Sequence, residues 1–295
     1  MGKEISQNCI AIPVDGSCYR LSRRPQHPQI VVNDHYRGLH VLDLWSGAPI
    51  KTIPFTSRYA RSGVVTEWCF DASGSSVLLF DEETHSACYI SLISGDRWDL
   101  DVPFSPLLDI RYTWHKDSFW ITNGMHSPFF QLTWANKVPK FVKRSRIQAL
   151  AAEPSWYRSL QALPRSSTVH RVEAESERLV YHRHAEEQGI GFMDWSTPQC
   201  HEPIFPLPKM AKFTGEVPRL AYRNQIFYIL REEEIMAINT EGEMRQSIAA
   251  DEGFEFSDFD IVYDEKSRTA ALTVLGSSLS SPRTGRIWLH PLEDH

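Results

Sequence analysis

Four successive connections between apolar runs carry histidine: His35 beside Asp34, His85 after Glu82 and Glu83, His126, and His182 with His184. Imidazole changes charge near neutral pH and, when neutral, ligates divalent metals. A carboxylate beside it can complete a ligand set or orient the ring. The His-x-His spacing at 182–184 would put both rings on one side of a strand end. Convergence of His35, His85, His126, His182 and His184 with their acids would suit a divalent metal site. It would equally suit acid–base chemistry of the lyase or hydrolase kind. The alternative is a set of solvated histidines that meet nothing. No Gly-x-Ser-x-Gly elbow, phosphate loop, His-Glu-x-x-His or dinucleotide fingerprint stands in the chain to favour a local catalytic machine. The expectation is therefore no cofactor, with a divalent metal on these histidines as the alternative.

The elements that would position them recur. Dense apolar runs at 30–33, 77–80, 119–122, 178–181, 226–230 and 270–274 are each followed by a second strand-like run, at 39–45, 88–93, 129–134, 191–195, 234–239 and 286–289. The first member of each pair is apolar almost continuously, which a strand buried on both faces requires. Units of about 40 to 50 residues built from short strands predict the blades of a β-propeller.

The second unit is the clearest copy. Its segment Trp68-Cys69-Phe70-Asp71-Ala72-Ser73-Gly74 resembles the inner strand and turn of WD-repeat and related propellers, although no Trp-Asp closes the third strands and no Gly-His opens the units. The resemblance implies an all-β propeller. Six blades are expected, with seven as the rival count. The last unit supplies only three strands, so the run 9–14 is expected to close the ring as its outer strand, leaving fewer exposed edges. Residues 1–295 are expected to form this one domain. Between the third and fourth blades, 144–167 is expected to hold a short helix: Trp156, Leu160 and Leu163 fall at helical spacing, Ser155 can cap, and Pro164 stops the run.

Composition narrows the function classes. A 42% hydrophobic content fills a core, and no apolar stretch approaches the length of a membrane helix. The formal charge of −6 lacks the basic stripe of a general nucleic-acid binder. Neither a nucleic-acid nor a membrane partner is expected. The five cysteines have no metal-knuckle spacing and read as reduced thiols, and no signal peptide is evident, so a cytoplasmic setting is expected. Met1-Gly2-Lys3-Glu4-Ile5-Ser6 matches a myristoylation pattern formally, but Lys3 is unfavourable and a chance match is the reading adopted.

Turns near 46–47, 94–95, 135–136, 196–197 and 241–242 are short, whereas the connections at 56–63, 144–167, 206–217 and 249–257 and those within units are long. Propeller topology puts the long ones on one face, where loops on a rigid scaffold carry function. Arg58, Tyr59, Arg61, Trp156, Tyr157, Glu252, Phe254, Glu255 and Asp258 are the residues expected to bind a partner there. Aromatics would anchor and charges would steer. The function expected is a non-catalytic protein-interaction module of scaffold or inhibitor type. A lyase or hydrolase and a carbohydrate-binding module are the alternatives.

Overall fold

The structure, a computed structural model, describes residues 10–15, 18–34, 38–54, 67–81, 86–102, 110–115, 118–123, 129–144, 167–173, 178–183, 189–194, 205–206, 220–230, 234–264, 268–281 and 284–292. Every regular element among them is a β-strand. The first strand, β1 (Ile10–Asp15), stands apart from the unit that follows it. β2 (Leu21–Arg23), β3 (Gln29–Asp34), β4 (Gly38–Asp43) and β5 (Pro49–Ile53) form a four-stranded meander in chain order. The next meander is β6 (Glu67–Phe70), β7 (Ser76–Asp81), β8 (Ser86–Ser91) and β9 (Arg97–Asp101). The third is β10 (Ile110–His115), β11 (Ser118–Asn123), β12 (Phe129–Ala135) and β13 (Val138–Arg144). The fourth comprises β14 (Ser167–Glu173), β15 (Arg178–Arg183), β16 (Gly189–Asp194) and the two-residue β17 (Phe205–Pro206). The fifth comprises β18 (Leu220–Arg223), β19 (Ile226–Leu230), β20 (Glu234–Asn239) and β21 (Met244–Ala249).

The sixth sheet is assembled from both ends of the sequence. β22 (Phe254–Asp264), β23 (Thr269–Ser278) and β24 (Thr284–Leu292) form a meander, and β1 pairs antiparallel with β24 from Ile10↔Leu289 to Asp15↔Thr284. The run expected at 9–14 to lie outermost in the last unit therefore does so, one residue later. In the first unit, Cys18–Arg20 lead into β2. The inserted helix expected at 144–167 lies outside the described residues. Arg144 ends β13 and Ser167 begins β14, so those two positions belong to strands.

Apolar side chains on both faces of the second strands bind sheet to sheet. Val31, Leu39, Val41 and Ile53 meet Trp68, Val77, Leu79 and Cys88 between the first and second sheets. Leu78 and Phe80 meet Phe119, Ile121 and Leu132 between the second and third. Ile235, Ala237 and Ile248 meet Phe259, Leu272 and Trp288 between the fifth and sixth. Leu21, Ile30 and Val32 meet Val262, Leu275 and Ile287 between the sixth and first. β18 lies against β14 and β15 of the fourth sheet. The described contacts thus run fourth, fifth, sixth, first, second, third. The near-continuous apolar character of β3, β7, β19 and β23 follows from packing on two neighbours at once. Burial also explains the chemistry of Cys88: loss of water pushes its thiol up to about 12, so it is an inert core residue.

The Asp71–Gly74 turn joins the first two sheets. Asp71 Oδ1 accepts from the Ser75 amide at 2.7 Å and Oδ2 from the Ser76 hydroxyl at 2.9 Å, so one carboxylate organises the whole turn. Gly74 has φ of 66° and lies so close to the Pro25 carbonyl that a Cβ would sit 2.6 Å from its oxygen. Arg24 Nε donates to the Gly74 carbonyl at 2.8 Å, tying that turn to the first sheet. The motif that drew attention in the sequence is thus an inter-sheet fastening.

Candidate interaction face

The described connections define two ends. Leu279 N donates to the Gly253 carbonyl at 2.8 Å, so the loop between the fifth and sixth sheets and the loop between β23 and β24 lie at one end. Leu44 N donates to the Pro28 carbonyl at 2.9 Å, placing the turns 24–28 and 44–48 at the other. The first is the end to which the sequence assigns the long connections; the connections described at the two ends are of similar length.

The long-connection end of the sixth sheet is built on a packed platform. Asp251 closes a tight turn, with the Phe254 amide donating to its carbonyl at 3.0 Å and Gly253 at φ 82°. Its Oδ2 accepts from Arg286 Nη1 at 3.1 Å and from Trp288 Nε1 at 3.0 Å. The Arg286 guanidinium lies 4.6 Å over the Phe254 ring. Trp288 in turn packs edge-on against Phe254 and Phe256 at 5.4 and 5.5 Å. Gly276 makes room for this stack, because a Cβ there would collide with the Glu255 carbonyl and come within 2.8 Å of the Trp288 ring. Glu252 and Glu255 stand exposed beside the platform, as does Leu279.

His290, two residues beyond Trp288 on the same face of β24, is partly buried, and neither ring nitrogen has a hydrogen-bond partner among the described residues. Burial lowers its pKa below the ordinary 6.5, and Asp251 opposes that shift only in part. The unfolded chain then takes up a proton that the folded chain refuses. Full stability is present above the ordinary value and is lost as pH falls through about 6.5 toward the lower folded value. His290→Leu should flatten this contribution. Urea midpoints for wild type and variant compared at about pH 7.5 and about pH 5.5 check it. A wild-type loss no larger than the variant's would refute the assignment.

Of the residues expected to bind a partner, Glu252 and Glu255 are surface carboxylates, and Phe254 is half-buried beneath Arg286. Asp258 requires a correction. It is 1% exposed, with Oδ2 accepting from the Leu21 amide at 2.8 Å and Oδ1 from the Phe259 amide at 2.7 Å. Asp260 repeats the arrangement, accepting from Arg23 N at 2.9 Å and Ile261 N at 2.7 Å. Both carboxylates therefore hold the seam between the last and first sheets, and Asp258 is not part of the surface sector. The spacing i, i+2 on β22 matched against i, i+2 on β2 was the available signal, since both strands share a two-residue period. Arg58, Tyr59, Arg61, Trp156 and Tyr157 lie outside the described residues, as do His35, His85, His126 and His184. His182 is placed in β15 by its backbone alone. Among the described residues no group of three or more metal-ligating side chains comes together.

Sequence reasoning passed over the opposite end. Ile50, Ile93, Trp134, Val138 and Met244 are exposed large apolar residues in or beside the short turns, against Leu279 alone at the long-connection end among the described residues. Trp134 continues the apolar alternation of Phe130 and Leu132 along β12. Its place next to a two-residue turn was the signal that it leaves the core.

The architecture matches the β-propeller domain of Cps50 (Swd1) from Myceliophteria thermophila, with a TM-score of 0.55 at 10% identity over 96% of this chain and 100% of that one. A chain of a nidogen/laminin complex aligns over 79% of this chain and 80% of its own length, at a TM-score of 0.46 and 10% identity. No family model and no curated protein sequence matches the chain. The chain has the fold of the β-propeller superfamily. At 10% identity that likeness speaks for architecture alone.

Proposed function

We propose that residues 1–295 form one ring of six blades, closed by β1 at the outer side of the last blade and interrupted by an insertion within 145–166. We propose further that this ring is a non-catalytic, cofactor-free cytoplasmic module that binds a partner protein through its long-connection end, as a scaffold or inhibitor does. The observation that supports this reading is the Asp251–Arg286–Phe254–Trp288 platform, a packed base beside which the Glu252 and Glu255 carboxylates stand in solvent. Charges fixed on rigid elements steer association and set register at little ordering cost. Arg58, Tyr59, Arg61, Trp156 and Tyr157 belong to the same proposed surface.

Affinity capture from the native host, followed by association kinetics with the purified partner, tests the reading. Charge reversal at Glu252 and Glu255 should slow association by on the order of tenfold and flatten its salt dependence while leaving melting unchanged. Trp156→Ala should weaken binding by about 2 kcal/mol. A partner that binds both variants normally but is lost on substitution near Ser46 or Ser94 would place the site on the other face.

A further inference from the structure

The hairpin of β12 and β13 differs in charge from its neighbour. Residues 129–144 contain Lys137, Lys140, Lys143 and Arg144 and no carboxylate. Arg144 Nε donates to Gln131 Oε1 at 2.8 Å, and the three lysines have no ion-pair partner among the described residues. On β9, by contrast, Arg97 pairs with Asp99 at 3.4 Å. The hairpin is also stiff. Its two-residue turn places Asn136 and Lys137 at φ of 52° and 65°, the geometry that matches strand twist.

The two faces of β13 differ. Pro139 opposes Trp134 and Phe141 opposes Leu132, so these side chains face the second sheet. There the Trp134 ring meets Tyr89 and Trp98 edge-on, at 5.2 Å each, while remaining 51% exposed. Val138, Lys140, Val142 and Arg144 occupy the other face. β13 is the outermost strand of its sheet, with β12 as its only strand partner among the described residues.

We propose that the outer edge of β13 docks an extended acidic segment of a partner protein, which adds to the third sheet as a fifth strand. Alternation in such a segment would set carboxylates opposite Lys140 and Arg144 and apolar side chains toward Trp134. The same lysines repel the basic edge of a second copy, so one feature guards against self-pairing and selects an acidic strand. The site is separate from the long-connection end and does not depend on which partner binds there.

A fluorescein-labelled peptide of five Glu-Val repeats, titrated with the full chain and followed by anisotropy, provides the test. A Lys-Val peptide and a short oligouridylate of equal length serve as comparison probes. The acidic peptide should bind saturably, more weakly at high salt, and should protect β13 amides from hydrogen exchange. Trp134→Ala should weaken it tenfold or more. Lys140→Glu should weaken it as much and remove most of the salt dependence. Lys140 is exposed, so its variant should leave melting unchanged, whereas Trp134→Ala also gives up the Tyr89 and Trp98 contacts and its binding is read well below its own melting temperature. No saturable binding up to about 1 mM, equal binding of the Lys-Val peptide, or indifference to both variants would each overturn the proposal. Tighter binding of the oligouridylate would assign the surface to nucleic acid instead, and self-association that the acidic peptide does not compete would assign it to a second copy.

Discussion

Deleting residues 1–15 should abolish soluble, cooperative folding. β1 supplies six register pairs to β24, and Val14 packs on the apolar cluster shared by the sixth and first sheets. Each ladder hydrogen bond contributes about 1 kcal/mol net, so the loss is of the same order as the ~5–15 kcal/mol that holds a domain together. The deletion also bares the outer edge of β24, whose buried residues Ile287 and Leu289 would then lie beside unpaired N–H and C=O groups, an invitation to aggregate. A synthetic peptide spanning residues 9–16, added in trans, should restore part of the cooperative melt, because the missing contribution is a strand and not a folding signal. Thermal melting and sedimentation of the truncated chain give the answer. A truncated protein that melts as sharply as the full chain would show that β1 closes nothing.

Much of this frame was legible because propeller strands announce themselves by burial on two faces. Runs such as Ile30–Val31–Val32 and Val77–Leu78–Leu79–Phe80 have no polar face to confuse the period, and their burial is nearly complete. The outer position of β1 was legible by counting strands, since the last unit lacked one. Carboxylate roles were not legible. Asp251, Glu252, Glu255, Asp258 and Asp260 form one acidic cluster in the sequence, yet they divide into a turn-builder, two surface charges and two buried clamps. The division depends on a β-bulge between Phe256 and Asp258, which changes the side of the sheet that the following residues face. A bulge adds a residue without altering composition, so a reading by charge alone runs past it. Trp134 was passed over for a related reason: its ring packs on Tyr89 and Trp98 of the second sheet while about half of it stays in solvent, and apolar alternation does not reveal that half-burial.

The clamps give the sharper test of how the ends of the chain are joined. Asp258 lies 237 residues from Leu21, and Asp260 the same distance from Arg23, so these bonds connect the last blade's first strand to the first blade's first strand. Each carboxylate accepts two backbone amides, one from each strand, in a setting with almost no access to water. Alanine at position 258 leaves two buried N–H groups without acceptors, at about 1–3 kcal/mol each. Asp258→Ala should therefore lower stability by about 2–5 kcal/mol, with an unchanged urea m-value if the seam alone is weakened. Asp258→Asn should fall between, because the amide offers one acceptor and turns an NH2 toward the second donor. Replacing both aspartates should cost less than the sum of the single changes if opening the seam at one clamp already frees the other. Were Asp258 a surface contact for a partner, the same substitution would reduce binding and leave the melt in place. Loss of binding at wild-type stability would return Asp258 to the surface sector and remove the clamp between the sixth and first sheets.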